Sequence, residues 1–505
     1  LQESIRQLWR LSETPEAPEE NCLVNERHSQ YRLSVSREQE IASNLAFLSA
    51  ITNDNLRVMA VCVEERPDGK GSTIRIASNT GDLTALTSGI RKLANVLERA
   101  ARRENNCAED QRDFFQQVVS LDMPRIPSRL RSRHAKSSRK TAGKPAVIKQ
   151  LGEILHHGSV RVQPGLMQPN RSALRCQAKA LEALFVRLEG ISDKPTNADE
   201  IRKVLEEIIR KAHDVPASDL NIALRDVPEN PSLKNHLPNA IGKLGRYLSV
   251  SCELVCAVRD RKYGIFHNIQ VEPYKINVPA PIRDAGYKVH AEIQLLFFYE
   301  AHPNLPRLRI ICSSKSACYL CNLFFRLHNS FQVPRTHGRL YDKWTLPDWL
   351  DIPSERRSSL GAIATNLRAE IDSQFRVISQ AEKLPRSHPD ESILLPPVHY
   401  PFSSALSSGV HFLAGSRLAQ VVSTAPNLLS RLRYASGTNN ELVNLIASKG
   451  AEPALNSVSQ VSIGDDNLLY RQAVIAALYL LYIQLDNLSL AIDFVIGASG
   501  HLLVI

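Results

Sequence analysis

The chain has 505 residues, 43% of them hydrophobic, and a formal net charge of +10 at pH 7. That length admits two to four domains, and that composition is ordinary for a soluble globular protein. The longest apolar run, Ala473–Ile483, falls short of the ~20 residues a bilayer span needs, so no membrane partner is expected.

Nine basic residues and no acidic ones lie between Arg125 and Lys149, so the positive excess sits almost wholly in one arm. Nine scattered cysteines, an odd count, suit a reduced intracellular protein of cytoplasm or nucleus. The chain opens on Leu1, and residues 1–30 show no apolar run behind a basic stretch, so no leader peptide is expected.

Residues 1–36 read as a polar, Glu-rich, weakly ordered lead-in. A helix follows over Arg37–Ile51, then two strands, Arg57–Glu64 and Ser72–Ser78. They are joined by the turn sequence Arg66-Pro67-Asp68-Gly69-Lys70-Gly71. Leu83–Arg103 reads as a helix. The basic arm 125–149, with its prolines and serines, reads as an exposed loop or linker. Apolar residues from Ile201 to Ala212 fall on one face of a helix over Ala198–His213, which Asn197 and Glu200 would open as a capping box. Leu237–Val258 is expected to be helical, Phe266–Glu272 extended and Ser354–Phe375 helical. Residues 366–505 resist assignment, although Gln484–Phe494 alternates like a strand.

Two short motifs carry chemistry. Val289-His290-Ala291-Glu292-Ile293 leads into an apolar helix, and Cys318-Tyr319-Leu320-Cys321 leads into another. Between them sit a strand-like segment, Leu308–Cys312, and a polar loop. One imidazole and two thiolates make three zinc ligands and leave the fourth position for water. Cysteines three apart share a helix face, and a helix N-terminus favours the thiolate. Glu292, two residues from the histidine, is placed to move protons rather than to bind metal.

This arrangement resembles the zinc-deaminase signature, H-x-E followed by P-C-x-x-C, with Ala317 where that proline stands. His290-Ala291-Glu292, Ser314–Cys321, the later Thr336-His337-Gly338-Arg339-Leu340-Tyr341, Trp344 and Leu346-Pro347 are similar to a deaminase-like family common in fungi, within the cytidine-deaminase-like superfamily. The resemblance implies an α/β fold with a three-layer α/β/α core. It also implies Zn2+ on His290, Cys318 and Cys321, with Glu292 as the catalytic proton shuttle in hydrolytic deamination of a nucleobase, free or in nucleic acid. In related deaminases an asparagine near the end of the corresponding strand contacts substrate, which makes Asn79, just after Ser72–Ser78, a substrate contact. His337, Tyr319 and Lys315 are further candidates, and the charge of the arm 125–149 would let it bind nucleic acid or serve as a solvated linker or nuclear address.

The core is expected to be split into 37–80 and 285–365 around a mostly helical insert, 83–284. A local hairpin over Phe266–Val278, with Asn277 near its end, is the rival. Other readings stand beside these. Cys312, His302, His328 or His337 would close a structural zinc site, Cys318–Cys321 would form a redox pair, and the fold would serve as a silent interaction module. His337 would cap a turn, Lys315 would face solvent, and Trp344 and Trp349 would pack rather than stack on a base.

Overall fold

A computed structural model describes residues 1–23, 31–54, 56–135, 145–157, 171–215, 220–221, 224 and 231–380, and the strand residues 494–496 and 502–504. The chain divides into two units, Leu1–Pro396 and Pro397–Ile505.

The first unit begins with helix α1 (Gln2–Leu11) and the two-residue strand β1 (Glu19–Glu20). Helix α2 (Val35–Ser49) follows, opened by Ser34, whose hydroxyl accepts the Arg37 N–H. Strands β2 (Met59–Glu65) and β3 (Ser72–Ser78) form an antiparallel hairpin with Met59 opposite Ser78. Gly69, at φ +64°, takes the left-handed position that the turn requires.

A helical stretch comes next: α3 (Thr84–Arg102), α4 (Cys107–Leu121), α5 (Ile126–Leu130), α6 (Val147–His157), α7 (Arg171–Gly190), α8 (Ala198–His213) and α9 (Pro231–Arg259). The chain then returns to the sheet with β4 (Ile269–Tyr274), passes α10 (Ala280–Asp284) and α11 (Ala291–Ala301), and adds β5 (Cys312–Ser313). Helix α12 (Tyr319–His328), strand β6 (Arg335–Thr336) and the long helix α13 (Ser354–Gln380) complete this unit. In the second unit, β7 (Phe494–Ile496) pairs antiparallel with β8 (Leu502–Val504).

The fold is mixed α/β. The sheet runs β4-β3-β2-β5, with β3 and β4 parallel and the other pairs antiparallel. Both faces of β2 and β3 are covered, which explains why they are buried almost throughout. Alternation sorts their side chains. Met59, Val61, Val63, Ile74 and Ile76 join one apolar cluster with α2, α3 and the helices up to Val258. Ala60, Cys62 and Ala77 join another with α1, α11, α12 and α13. Among the described residues no helix is long and apolar enough to cross a membrane.

Several expectations need correction. Residues 1–23 are not a loose lead-in. Ile5 and Leu8 are fully buried, α1 packs on α13, and β1 pairs with β6. The start of the basic arm is not an exposed loop either. Ile126 and Leu130 are fully buried, Arg125 donates to the Ala50 carbonyl, and the Arg129 guanidinium lies 5.0 Å over the Phe47 ring. Residues 136–144 of that arm lie outside the described residues. No local hairpin forms over Phe266–Val278, because β4 pairs in parallel with β3, almost 200 residues earlier. The Asn197 side chain donates to Ser192 instead of capping α8. The strand expected over Leu308–Cys312 is short and shifted to Cys312–Ser313. Helix α13 crosses the expected boundary at residue 366 and buries Leu367 and Ile371. Ala473–Ile483 and all of Gln484–Phe494 but its last residue lie outside the described residues.

Candidate metal centre and active site

Two helices begin at the same place. His290 is the N-cap of α11, with extended backbone, and its carbonyl accepts the Gln294 N–H. Cys318 is the N-cap of α12, and its Sγ accepts the Cys321 N–H at 3.4 Å. His290 Nδ1 lies 3.4 Å from Cys318 Sγ and 3.5 Å from Cys321 Sγ. All three donor atoms fall within 4.8 Å of one another, and they form the one such group of His, Cys, Asp or Glu among the described residues. A tetrahedral ion with bonds of about 2.0–2.3 Å holds its ligand atoms roughly 3.5 Å apart, so this donor set fits a metal. Glu292 is 2% exposed and its Oε2 stands 4.0 Å from Cys321 Sγ, beside the group but outside it.

Electrostatics follows from burial and crowding. Burial raises the Glu292 carboxyl above the ordinary carboxylate range, against the pull of His290. Burial works against the His290 imidazolium, yet the facing Cys318 and Glu292 raise it overall. Burial also opposes thiolate formation at Cys318, and the Cys321 hydrogen bonds and His290 overcome it, so this thiol is lowered. Cys321 is raised by burial and by its charged neighbour Cys318.

The residues around the group hold it from distant parts of the chain. Gln294 Nε2 donates to the carbonyls of Ser78 and Val289, and its Oε1 accepts the Ile276 N–H. One side chain thus pins the first turn of α11 to the ends of β3 and β4. Trp344, fully buried, donates its indole N–H to Cys321 Sγ at 3.4 Å. Tyr341 meets the His290 ring edge-on, with centroids 5.6 Å apart. The turn after β6 is fixed by Thr336, whose hydroxyl donates to the Ala317 carbonyl and accepts the Gly338 N–H. Gly338 has φ +69°, and a Cβ there would lie 1.9 Å from the Glu16 carbonyl oxygen, so the N-terminal segment leaves room only for glycine.

A cavity of about 210 Å³ opens on Glu292, His290 and Cys318. Asn79, Lys315 and His337 line it. Asn79 is also tied to the fold, its Oδ1 accepting the Val58 N–H. His337 borders the cavity, and its Nδ1 accepts the Arg339 N–H in the turn at Gly338. Tyr319 does not line the cavity. It is buried on α12 with Glu16 as a charged neighbour, because position i+1 of C-x-x-C turns away from the face the cysteines share.

The alternative fourth ligands point elsewhere. Cys312 Sγ lies 3.2 Å from Ser43 Oγ, His302 donates to the Phe298 carbonyl, and His328 sits 3.4 Å from Glu300. Trp349 donates to the Asn277 carbonyl. Sequence reasoning missed Gln294 and the sulfur contact of Trp344. Gln294 was accessible in principle, lying one turn after His290; nothing local marks Trp344.

Residues 289–348 match the family model described as "OTT_1508_deam:-like deaminase". No solved structure matches the chain. The stretch that holds His290, Glu292, Cys318 and Cys321 therefore carries the likeness of a deaminase family.

Proposed function

We propose that the chain is a zinc-dependent hydrolytic deaminase acting on an amino-substituted nucleobase. The observation that carries this is the meeting of His290, Cys318 and Cys321, with Glu292 beside them on the same cavity. In this reading His290 and the two cysteines hold Zn2+, a donor set suited to that ion. Zinc, when bound, makes water acidic enough to supply hydroxide near neutral pH. Glu292 would carry one proton of the water to the ring nitrogen and the second, from the hydroxyl added to the carbon, to the amino group, which leaves as ammonia as the carbonyl forms. Trp344 and Gln294 hold the cysteine and the helix in place. Asn79 and His337 orient the base within the cavity.

The open donor set favours a catalytic over a structural ion, since Cys312, His302, His328 and His337 are each engaged elsewhere. The core in this proposal is of the cytidine-deaminase type and discontinuous, with 37–80 and 285–365 joined through β2 and β5 around the helical insert.

Glu292→Gln tests the reading. Zinc content by elemental analysis should match the parent protein, while ammonia release across nucleosides, nucleotides and single-stranded nucleic acids falls about 10²–10⁴-fold. Undiminished release by the variant would sink the mechanism.

A further inference from the structure

A second cavity, of about 550 Å³, adjoins the one at Glu292, and Asn79, Gly286 and Lys288 line both. Both linings carry basic side chains. Lys275 and Arg283 stand in the larger cavity, Lys315 and Lys343 in the smaller, and Lys288 in both. No carboxylate lines the larger cavity; the smaller has Glu292 and Asp342. These cations come from the exit of β4, from α10, from the loop before α11, from the loop after β5 and from the loop after β6. No local run of sequence shows them, and only the fold collects them.

The contacts of Arg283, Lys275 and Lys343 leave these three able to bind an anion. Arg283 pairs with Asp284 at 3.3 Å, but those side chains are 66% and 70% exposed, so the pair contributes little. Lys275 gives one N–H to the Gly81 carbonyl, and an ammonium has three. Lys343 rests 4.9 Å over the Tyr287 ring, a contact that keeps its charge.

Size divides the labour. A cavity of about 210 Å³ is smaller than the roughly 300 Å³ from which small-molecule sites usually start, so it suits a flat base and little more. Whatever the base is attached to must extend into the larger, cationic space.

We propose that this second cavity binds a phosphoryl group of the substrate, so that the deaminated base belongs to a nucleotide, free or within a strand, rather than to a bare base or nucleoside. This rests on the deaminase reading.

The test uses the full chain and compares ammonia release from a nucleoside, its 5′-monophosphate and a short single-stranded oligonucleotide of the same base. One charge-assisted hydrogen bond contributes about 1.5–3 kcal/mol, so kcat/KM for a phosphorylated form should exceed that of the nucleoside at least about tenfold. That ratio should fall towards one in Lys275→Gln/Arg283→Gln, both exposed positions, and should shrink as salt rises. Preference for the monophosphate identifies a free nucleotide; preference for the oligonucleotide identifies a strand. Equal kcat/KM for nucleoside and both phosphorylated forms overturns this inference and leaves the deaminase standing. Calorimetric binding to Glu292→Gln protein separates the two ideas. If no substrate releases ammonia but the monophosphate binds more tightly than the nucleoside, the phosphate site survives and the deaminase reading falls. If nucleoside, monophosphate and oligonucleotide all bind alike there, the phosphate site falls.

Discussion

The two faces of the central sheet are built on different rules. On one face, α2, α3 and the helices up to α9 bury a broad apolar cluster in which periodicity matters more than any single residue. On the other, α11 and α12 gather individual groups with specific chemistry: an imidazole, two thiols, a carboxylate and an indole N–H. A face made of period tolerates exchange among similar apolar residues. A face made of named atoms does not. Four changes probe that contrast.

The largest effect is expected on the apolar face, at an exception to its rule. Glu38 of α2 accepts the Arg309 and Ile310 N–H groups and pairs with the Arg309 guanidinium at 2.7 Å, all buried. Glu38→Ala strands that cation and should cost about 3–5 kcal/mol in denaturant unfolding. A loss below 1 kcal/mol would show that the pair does not clamp α2 to the approach to β5.

Gly338→Ala comes next. It places a methyl against the Glu16 carbonyl in a left-handed turn and should destabilise by about 1–3 kcal/mol. An unchanged melting temperature would mean that residues 13–17 do not pack there.

Trp344→Phe keeps an aromatic ring but removes the N–H that meets Cys321 Sγ and leaves a smaller side chain at a fully buried position. Metal affinity in a chelator competition should drop about 10–100-fold, in addition to the stability lost with the larger ring. A shift in stability alone would move Trp344 to the ordinary core.

The smallest effect is a tilt rather than a loss. Asp122, buried below Tyr247, is pushed by burial from 3.8 to about 7, against Arg125 and Arg129. The folded chain therefore holds a proton between those values that the unfolded chain has released. Stability present below the lower value is lost as pH rises towards about 7. Asp122→Asn should flatten the slope of stability against pH in that window, measured by urea unfolding at several pH values. An unaltered slope would place the titration elsewhere.

The contrast also accounts for what could be read in advance. The helices over 35–49, 84–102, 198–213 and 354–380 and the hairpin of β2 and β3 were legible because periodicity and turn residues are local signals. His290, Glu292, Cys318 and Cys321 were legible because each motif fits within one helical turn. The N-terminal segment was not, since its contacts reach more than 300 residues ahead: Asn21 to Asn322 and Val333, Leu340 to Glu13. Its acidic residues suggested solvent, and Glu13 is exposed, yet Glu13 and Glu16 also pair with Arg339 and Arg326, more than 300 residues ahead. The basic arm misled in the opposite sense, because arginine stems and rings pack together and a count of charges does not show where the stems lie.

The sheet order has a consequence for how the chain comes off the ribosome. β2 and β3 emerge as neighbours, but the partner on the free side of β2, where Ala60 faces Ser313, lies about 250 residues downstream. At roughly 5–20 residues per second that interval lasts tens of seconds. During it, the outer edge of a strand buried in the mature protein is open to pairing with any other chain. The helices made meanwhile cover only the face towards α2 and α3. The layer with the candidate metal donors closes the sheet last, so nascent chains that stall before residue 312 expose a sticky edge and lack two of the three residues that could hold an ion.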